Sequence, residues 1–173
     1  MLEQHEVKEV EAILKAQFDR RPEKRRLRVL VVEDDFAMHP MWEAIVHSVD
    51  KDAIIRQAHT EEAAEVMIEK QRALEEDFDL VISDIFLDGE KNGVDLWKKY
   101  GKQQTLFLFT SVISKPEFVK MIGEGEPEFP LLLQKPVRSL RSAEVLRTLL
   151  NFKEFFTDKT RHRKKQGSQG DDA

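Results

Sequence analysis

The sequence predicts an α/β protein in which a parallel, five-stranded sheet is covered by helices on both faces. From Leu27 onward, short apolar runs alternate with stretches of helical periodicity, which is typical of repeated strand–helix units. The runs at 29–32, 80–82 and 106–109 are apolar throughout, as strands buried on both faces should be. A chain of 173 residues with 40% hydrophobic content suffices for one such domain with extensions.

The five strands are predicted where the apolar runs occur, at 28–32, 53–58, 80–83, 106–109 and 131–134. The helices between and after them are predicted at 36–49, 61–75, 94–100, 116–122 and 140 to about 156. Two of these helices have a clear start signal. Thr60 is an expected N-cap ahead of two glutamates, and Ser114 is an expected N-cap of a helix that carries Pro116 in its first turn.

Extensions flank the predicted domain, which we place at residues 27–157. Residues 1–26 are predicted to form a helix over 3–18 and a basic linker, because Val7, Val10, Leu14 and Phe18 recur at steps of three and four. Packing on the domain, docking to a partner and self-association through a short coiled-coil seam all remain open for this helix. Residues 158–173 are predicted to be a basic, disordered tail.

Composition excludes several classes of function. A net charge of -5 provides no global field that would hold the chain on nucleic acid or on an anionic membrane, and we expect neither as a partner. The absence of cysteine excludes a disulfide framework and thiolate chemistry, and it fits a cytoplasmic protein. No apolar run approaches the roughly 20 residues of a membrane span. The five histidines show no metal-binding spacing, and His39, His47, His59 and His162 are expected to be exposed or half-buried.

Polar side chains follow four of the predicted strands. In chain order they are Glu33, Asp34 and Asp35 after the first strand, Asp84 after the third, Thr110 and Ser111 after the fourth, and Lys135 after the fifth. Functional groups of an open parallel sheet collect at the carboxyl ends of its strands. The sequence therefore predicts that carboxylates, a hydroxyl and an ammonium meet at one edge.

Such a set of groups favours phosphoryl chemistry. Carboxylates that crowd together either rise in pKa or recruit a cation, and an all-oxygen ligand set favours Mg²⁺. A magnesium ion with Lys135 opposite would neutralise the oxygens of a phosphoryl group in transfer. Asp84 is then the predicted nucleophile, and it needs no separate base because a free aspartate is already ionised at neutral pH.

Four segments of the chain, at 28–35, 80–84, 106–111 and 132–136, resemble the signature segments of response-regulator receiver domains, in the same order. The resemblance covers roughly residues 27–155 and implies a flavodoxin-like, doubly wound sheet. The implied strand order is 2-1-3-4-5, with five helices in addition to the extra N-terminal helix. The bond before Pro136 resembles one that is usually cis in the family.

The resemblance also implies roles for individual residues. Glu33 and Asp34 match the acidic pair that holds magnesium, and Asp84 matches the phosphoacceptor, which is also a metal ligand. Phe86 completes the predicted set at the metal site. Thr110 matches the switch hydroxyl and Lys135 the family's basic residue, so Asp84, Thr110 and Lys135 form the predicted catalytic set.

The implied function is that of a switch rather than of a conventional enzyme. A sensor histidine kinase or a phosphotransfer protein would phosphorylate Asp84, and the changed surface would engage a downstream protein or a second copy of the chain. Two alternatives remain. One is a receiver-like adaptor that is never phosphorylated, and the other is an aspartate-nucleophile phosphatase, against which Phe86 counts because a second aspartate is expected at its position.

Two features depart from the family's pattern. The loop after Asp84 lacks the usual proline, carries Asp88 and Gly89 instead, and is predicted to be slightly longer. Leu132 stands at the position of the family's aromatic switch residue, so we do not expect an aromatic side chain to change rotamer there.

Overall fold

A computed structural model of the chain describes residues 26–101, 105–123 and 130–151. The strands β1 to β5 are Arg28–Val32, Ile54–Ala58, Leu80–Asp84, Leu106–Ser111 and Leu131–Gln134. The helices α1 to α4 are Met38–Val49, Glu61–Ala73, Gly93–Tyr100 and Lys115–Ile122, and the described part of α5 covers 139–151. The predicted helix at 3–18, the basic tail at 158–173 and the predicted end of α5 near 156 lie outside the described residues, and the proposed division of the chain at 26 and 157 stays a prediction.

The five strands form one sheet in the order β2-β1-β3-β4-β5, and all four pairings are parallel. This confirms the predicted doubly wound topology. Parallel neighbours require a crossover connection, and helices supply it here. The order places β1 and β3 at the centre and β2 and β5 at the edges.

Two apolar clusters, one on each face of the sheet, form the core. One contains Phe109 and Phe118 among its buried members, and the other contains Trp42 and Leu146. Alternate residues of each central strand belong to opposite clusters, for example Leu30 to the first and Val31 to the second. This double burial explains why the central strands are apolar throughout.

Most predicted boundaries agree with the structure, and three differences matter for function. Helix α1 begins at Met38 rather than at 36, because Phe36 and Ala37 belong to the turn that leaves β1. Strand β3 extends to Asp84 and β4 to Ser111, so Asp84 and Thr110 lie within the sheet instead of following it. Hydrogen bonds between neighbouring strands therefore fix the main chains of Asp84 and Thr110. Residues in a loop would lack these bonds.

The helix starts show the expected local chemistry. Thr60 accepts a hydrogen bond from the amide of Ala63, which confirms it as the N-cap of α2. Ser114 and Glu117 form a capping box at α4. Asn92 and Asp95 form a second capping box at α3, and this one fixes the end of the loop that follows Asp84.

None of the helices in the described ranges has the length and apolar content that crossing a membrane requires.

Candidate functional site

An acidic cluster lies at the carboxyl ends of β1 and β3. One carboxylate oxygen from each of Glu33, Asp34 and Asp84 can be chosen so that all three lie within 4.8 Å of one another. Glu33 and Asp84 are buried, whereas Asp34 is half-buried. Since β1 and β3 are neighbours and parallel, the sheet brings these residues together although 49 residues or more separate Asp84 from the other two along the chain.

Lys135 lies inside this cluster. Its ammonium donates to Asp84 Oδ2 at 2.5 Å and to the two Glu33 carboxylate oxygens at 3.2 and 3.4 Å. Strand β5 ends at Gln134, and the amide of Lys135 donates to the Ser111 carbonyl at 2.7 Å, which fixes the main chain at this point. The Lys135–Pro136 peptide bond is cis, as the resemblance implies.

The charges in the cluster are strongly coupled. Burial raises the pKa of Glu33 above its ordinary value, and the Asp84 charge adds to the rise, although the Lys135 ammonium opposes it. Burial alone would lower the pKa of Lys135, but its hydrogen bond to Asp84 and the charges of Asp84 and Glu33 together raise it. The lysine is therefore a firmly charged cation beside the acidic cluster.

Thr110 lies on β4 directly opposite Asp84 in the strand register. Its hydroxyl is buried and has no hydrogen-bond partner among the described residues. A buried hydroxyl costs free energy unless a protein group, a water molecule or a ligand accepts its hydrogen bond. A ligand oxygen above Asp84 would supply the missing partner.

The loop after β3 contacts Asp84 through its main chain. The amide of Phe86 donates to Asp84 Oδ1 at 3.2 Å, while the Phe86 ring is 51% exposed. The amide of Gly93 donates to the Ile85 carbonyl at 2.9 Å, which closes the loop at its base. Because a phenylalanine side chain offers no ligand atom, Phe86 can serve a metal only through its main-chain carbonyl.

Two histidines that show no metal-binding spacing in the sequence contact this site. His39 Nε2 and His59 Nδ1 lie 2.8 and 3.2 Å from the main-chain oxygen of Glu33. The prediction that His39 is exposed or half-buried is wrong, because only 4% of it is exposed, whereas His59 is half-buried and His47 exposed as predicted. His162 lies outside the described residues. Histidine spacing could not reveal these contacts, since β2 brings His59 to Glu33 across 26 residues.

The remaining residues singled out in the sequence are Asp35, Ser111 and Leu132, and they lie outside the acidic cluster. Asp35 is exposed and accepts a hydrogen bond from the amide of Ala37, so it supports the turn before α1 instead of joining the cluster. Ser111 is buried, and its carbonyl holds Lys135. Leu132 is half-buried and packs on the cluster that contains Phe109 and Phe118.

No protein-family model and no curated protein matches this sequence. Solved structures do match. The response regulator PhyR from Brucella abortus superposes with a TM-score of 0.65 at 21% identity, over 80% of this chain and 53% of that one, so the chain spans about half the length of that relative.

Two shorter proteins match over nearly their whole length. A two-component response regulator from Clostridium difficile has a TM-score of 0.60 at 17% identity and is covered over 97% of its length by 73% of this chain. A response regulator receiver protein from Sinorhizobium medicae has a TM-score of 0.61 at 18% identity, over 98% of that chain and 75% of this one. The fold of this chain is therefore that of response-regulator receiver domains.

Proposed function

We propose that this chain is a phosphoaccepting receiver module in which Asp84 receives the phosphoryl group. The observation that carries the proposal is the convergence of Glu33, Asp34, Asp84 and Lys135 at one edge of a receiver-type sheet. Thr110, opposite Asp84 in the strand register, adds a buried hydroxyl to which no described residue offers a hydrogen bond. Fold alone does not define function, so these side chains and not the fold support the proposal.

The residues fit a hard divalent cation. Glu33, Asp34 and Asp84 present only oxygen atoms, and with Lys135 they leave two negative charges unbalanced when all are ionised. We propose that Asp34 and Asp84 hold Mg²⁺, with Glu33 beside them and the main-chain carbonyl of Phe86 as a further donor. Bound magnesium would supply charge neutralisation for the oxygens of the transferred group.

The transfer itself needs few protein groups. A carboxylate oxygen of Asp84 forms a bond to phosphorus while the bond from phosphorus to the donor breaks, and the donor keeps that electron pair. A donor of the phosphohistidine kind, on a sensor kinase or a phosphotransfer protein, would leave as neutral imidazole after taking up a proton. No base is required, because Asp84 attacks as a carboxylate.

Lys135 and Thr110 would stabilise the product. The ammonium already contacts Asp84 Oδ2 and lies where it can follow a new phosphoryl oxygen. The Thr110 hydroxyl would donate to another oxygen of the same group and so gain the partner that it lacks. Both changes would bias the strand ends that carry them and thus the surface that a downstream protein contacts.

Leu132 limits how that switch can operate. At this half-buried position a leucine packs against the apolar cluster of the sheet, and an aromatic rotamer change is unavailable to it. We therefore propose that any phosphorylation-dependent change passes through the strand ends and loops without an aromatic swing at this position.

Incubation with acetyl phosphate and Mg²⁺, followed by intact-mass measurement, tests the proposal. We expect one labile phosphoryl adduct on the wild type, none on Asp84→Asn, and none when EDTA replaces the metal. Asp88→Asn is the matched control, since Asp88 is an exposed carboxylate in the loop that follows Asp84 and its replacement should leave labelling intact.

An adduct that persists on Asp84→Asn would refute the assignment of Asp84 as the phosphoacceptor, and an unlabelled wild type would favour the adaptor alternative. Release of inorganic phosphate in many turnovers from a small phosphate ester would favour the phosphatase.

A further inference from the structure

A groove of about 810 Å³ lies beside the edge strand β5, between α4 and the start of α5. Apolar side chains form much of its wall, among them Phe118, Val119, Leu131, Leu132 and Val137. Leu131 is 45% exposed. An edge strand that exposes apolar side chains is prone to association unless another segment covers it.

The charged side chains that the structure describes in the lining of the groove have one sign. The charged residues among its described lining are Lys115, Lys135, Arg138 and Arg141, and none is acidic. Lys135 is engaged with Glu33 and Asp84, whereas Lys115, Arg138 and Arg141 are exposed at the rim. The groove thus fits an occupant with an apolar stripe flanked by carboxylates.

We propose that residues 3–18 of this same chain occupy the groove as an amphipathic helix. This segment has an apolar stripe made of Val7, Val10, Leu14 and Phe18, and it contains four glutamates against two lysines. On a helix, Glu6 and Glu11 flank the stripe while Glu9 lies on the opposite side. The tail at 158–173 carries five lysines and arginines against three aspartates, so its net positive charge would be repelled by the basic rim of the groove.

The connection is long enough. All strands are parallel, so β1 and β5 begin at the same edge of the sheet, and β3 and β4 lie between them. Three strand spacings amount to about 14 Å. Residues 19–26 can span up to about 26 Å when extended, so a helix that ends at Phe18 can reach the groove from the start of β1.

A distance measurement between two spin labels tests this placement in the full chain. The absence of cysteine allows labels at Ala12→Cys, opposite the stripe, and at Glu144→Cys, an exposed position on α5 one turn beyond Arg141. We expect a single narrow distance distribution. The combined change Arg138→Glu with Arg141→Glu should broaden it, and adding Glu6→Arg with Glu11→Arg should restore it. Glu9→Arg, the matched control on the opposite side, should leave it narrow.

Three outcomes would overturn the proposal. A broad distribution in the labelled parent chain would show that the groove does not hold the segment. Loss of the narrow distance on dilution with unlabelled protein would assign the contact to a second copy. A narrow distance for a label at Lys165→Cys in place of residue 12 would assign the groove to the tail. Thermal melts of every variant establish that it is folded. Since neither phosphodonor nor metal is present, failure here leaves the proposed phosphorylation of Asp84 untouched, and the reverse also holds.

Discussion

Replacing Gly93 by alanine should displace strand β3, because α3 begins in direct contact with the end of that strand. A methyl group on Gly93 would lie 2.2 Å from the carbonyl oxygen of Asp84 and 2.6 Å from Ser83 Oγ. A carbon atom normally approaches a carbonyl oxygen to about 3.3 Å, so these atoms must separate by about 1 Å. The nearest atom belongs to the main chain of a buried strand and cannot rotate away.

The size of the effect follows from two opposing terms. Alanine in a helix is favoured over glycine by about 0.5–1 kcal/mol. Overpacking of this severity typically costs about 1–3 kcal/mol and sometimes more, and we expect the upper end because a central strand must move. A net loss near 2 kcal/mol would lower the melting temperature by about 4–8 °C for a chain of this size.

Urea and thermal denaturation measure the loss of stability, and the acetyl phosphate reaction measures the displacement of Asp84. We expect both the free energy of unfolding and the labelling rate to fall. Gly123→Ala is the control, since its methyl group would meet no atom of the described residues within 4 Å and the strain at φ +108° is its main cost. That variant should lose stability without any change in labelling. Ser83→Ala removes one of the two clashing atoms and should recover part of the loss in the double variant. A Gly93→Ala protein with wild-type stability and wild-type labelling would refute this reasoning.

Three further predictions concern single side chains. Glu33→Gln should raise the free energy of unfolding of the metal-free protein near pH 7 and lose that advantage near pH 4. Because folding raises the pKa of Glu33, the protonated carboxyl stabilises the fold fully below the unfolded pKa of 4.5, and this stabilisation is lost as the pH rises through the folded pKa. A stability gain from Glu33→Gln that is larger at low pH than at pH 7 would contradict the raised pKa. Phe118→Ala, which deletes a ring that is 2% exposed and 5.5 Å from the Phe109 ring, should cost about 3–5 kcal/mol in urea denaturation, and a loss below 1 kcal/mol would mean that the cavity collapses. Asn92→Ala removes the acceptor of two amide hydrogen bonds and should cost about 1 kcal/mol. It should also speed hydrogen exchange at the Gly93 amide more than Ser114→Ala does, since the Ser114 capping box lies at α4, away from this loop.

The sequence by itself determined the fold class and which polar residues lie at one edge of the sheet. Continuous apolar runs at β1, β3 and β4 required strands that are covered on both faces, and helical periodicity between them required crossovers. The polar residues at the ends of β1, β3 and β5 then had to meet at one edge, which predicted that Glu33, Asp84 and Lys135 lie close together. Short stretches of sequence sufficed here because helical connections indicate that successive strands run parallel, and the polarity of each side chain is read directly from the sequence.

Only the tertiary structure decided which further groups meet that edge. His59 reaches the Glu33 carbonyl because β2 pairs with β1, and His39 reaches the same atom from the first turn of α1. Nothing in the spacing of these histidines indicates that they meet. The contact between Gly93 and the Asp84 carbonyl likewise depends on how closely α3 approaches β3. Such contacts depend on how closely separate elements approach one another, which packing of the whole domain sets and periodicity does not encode.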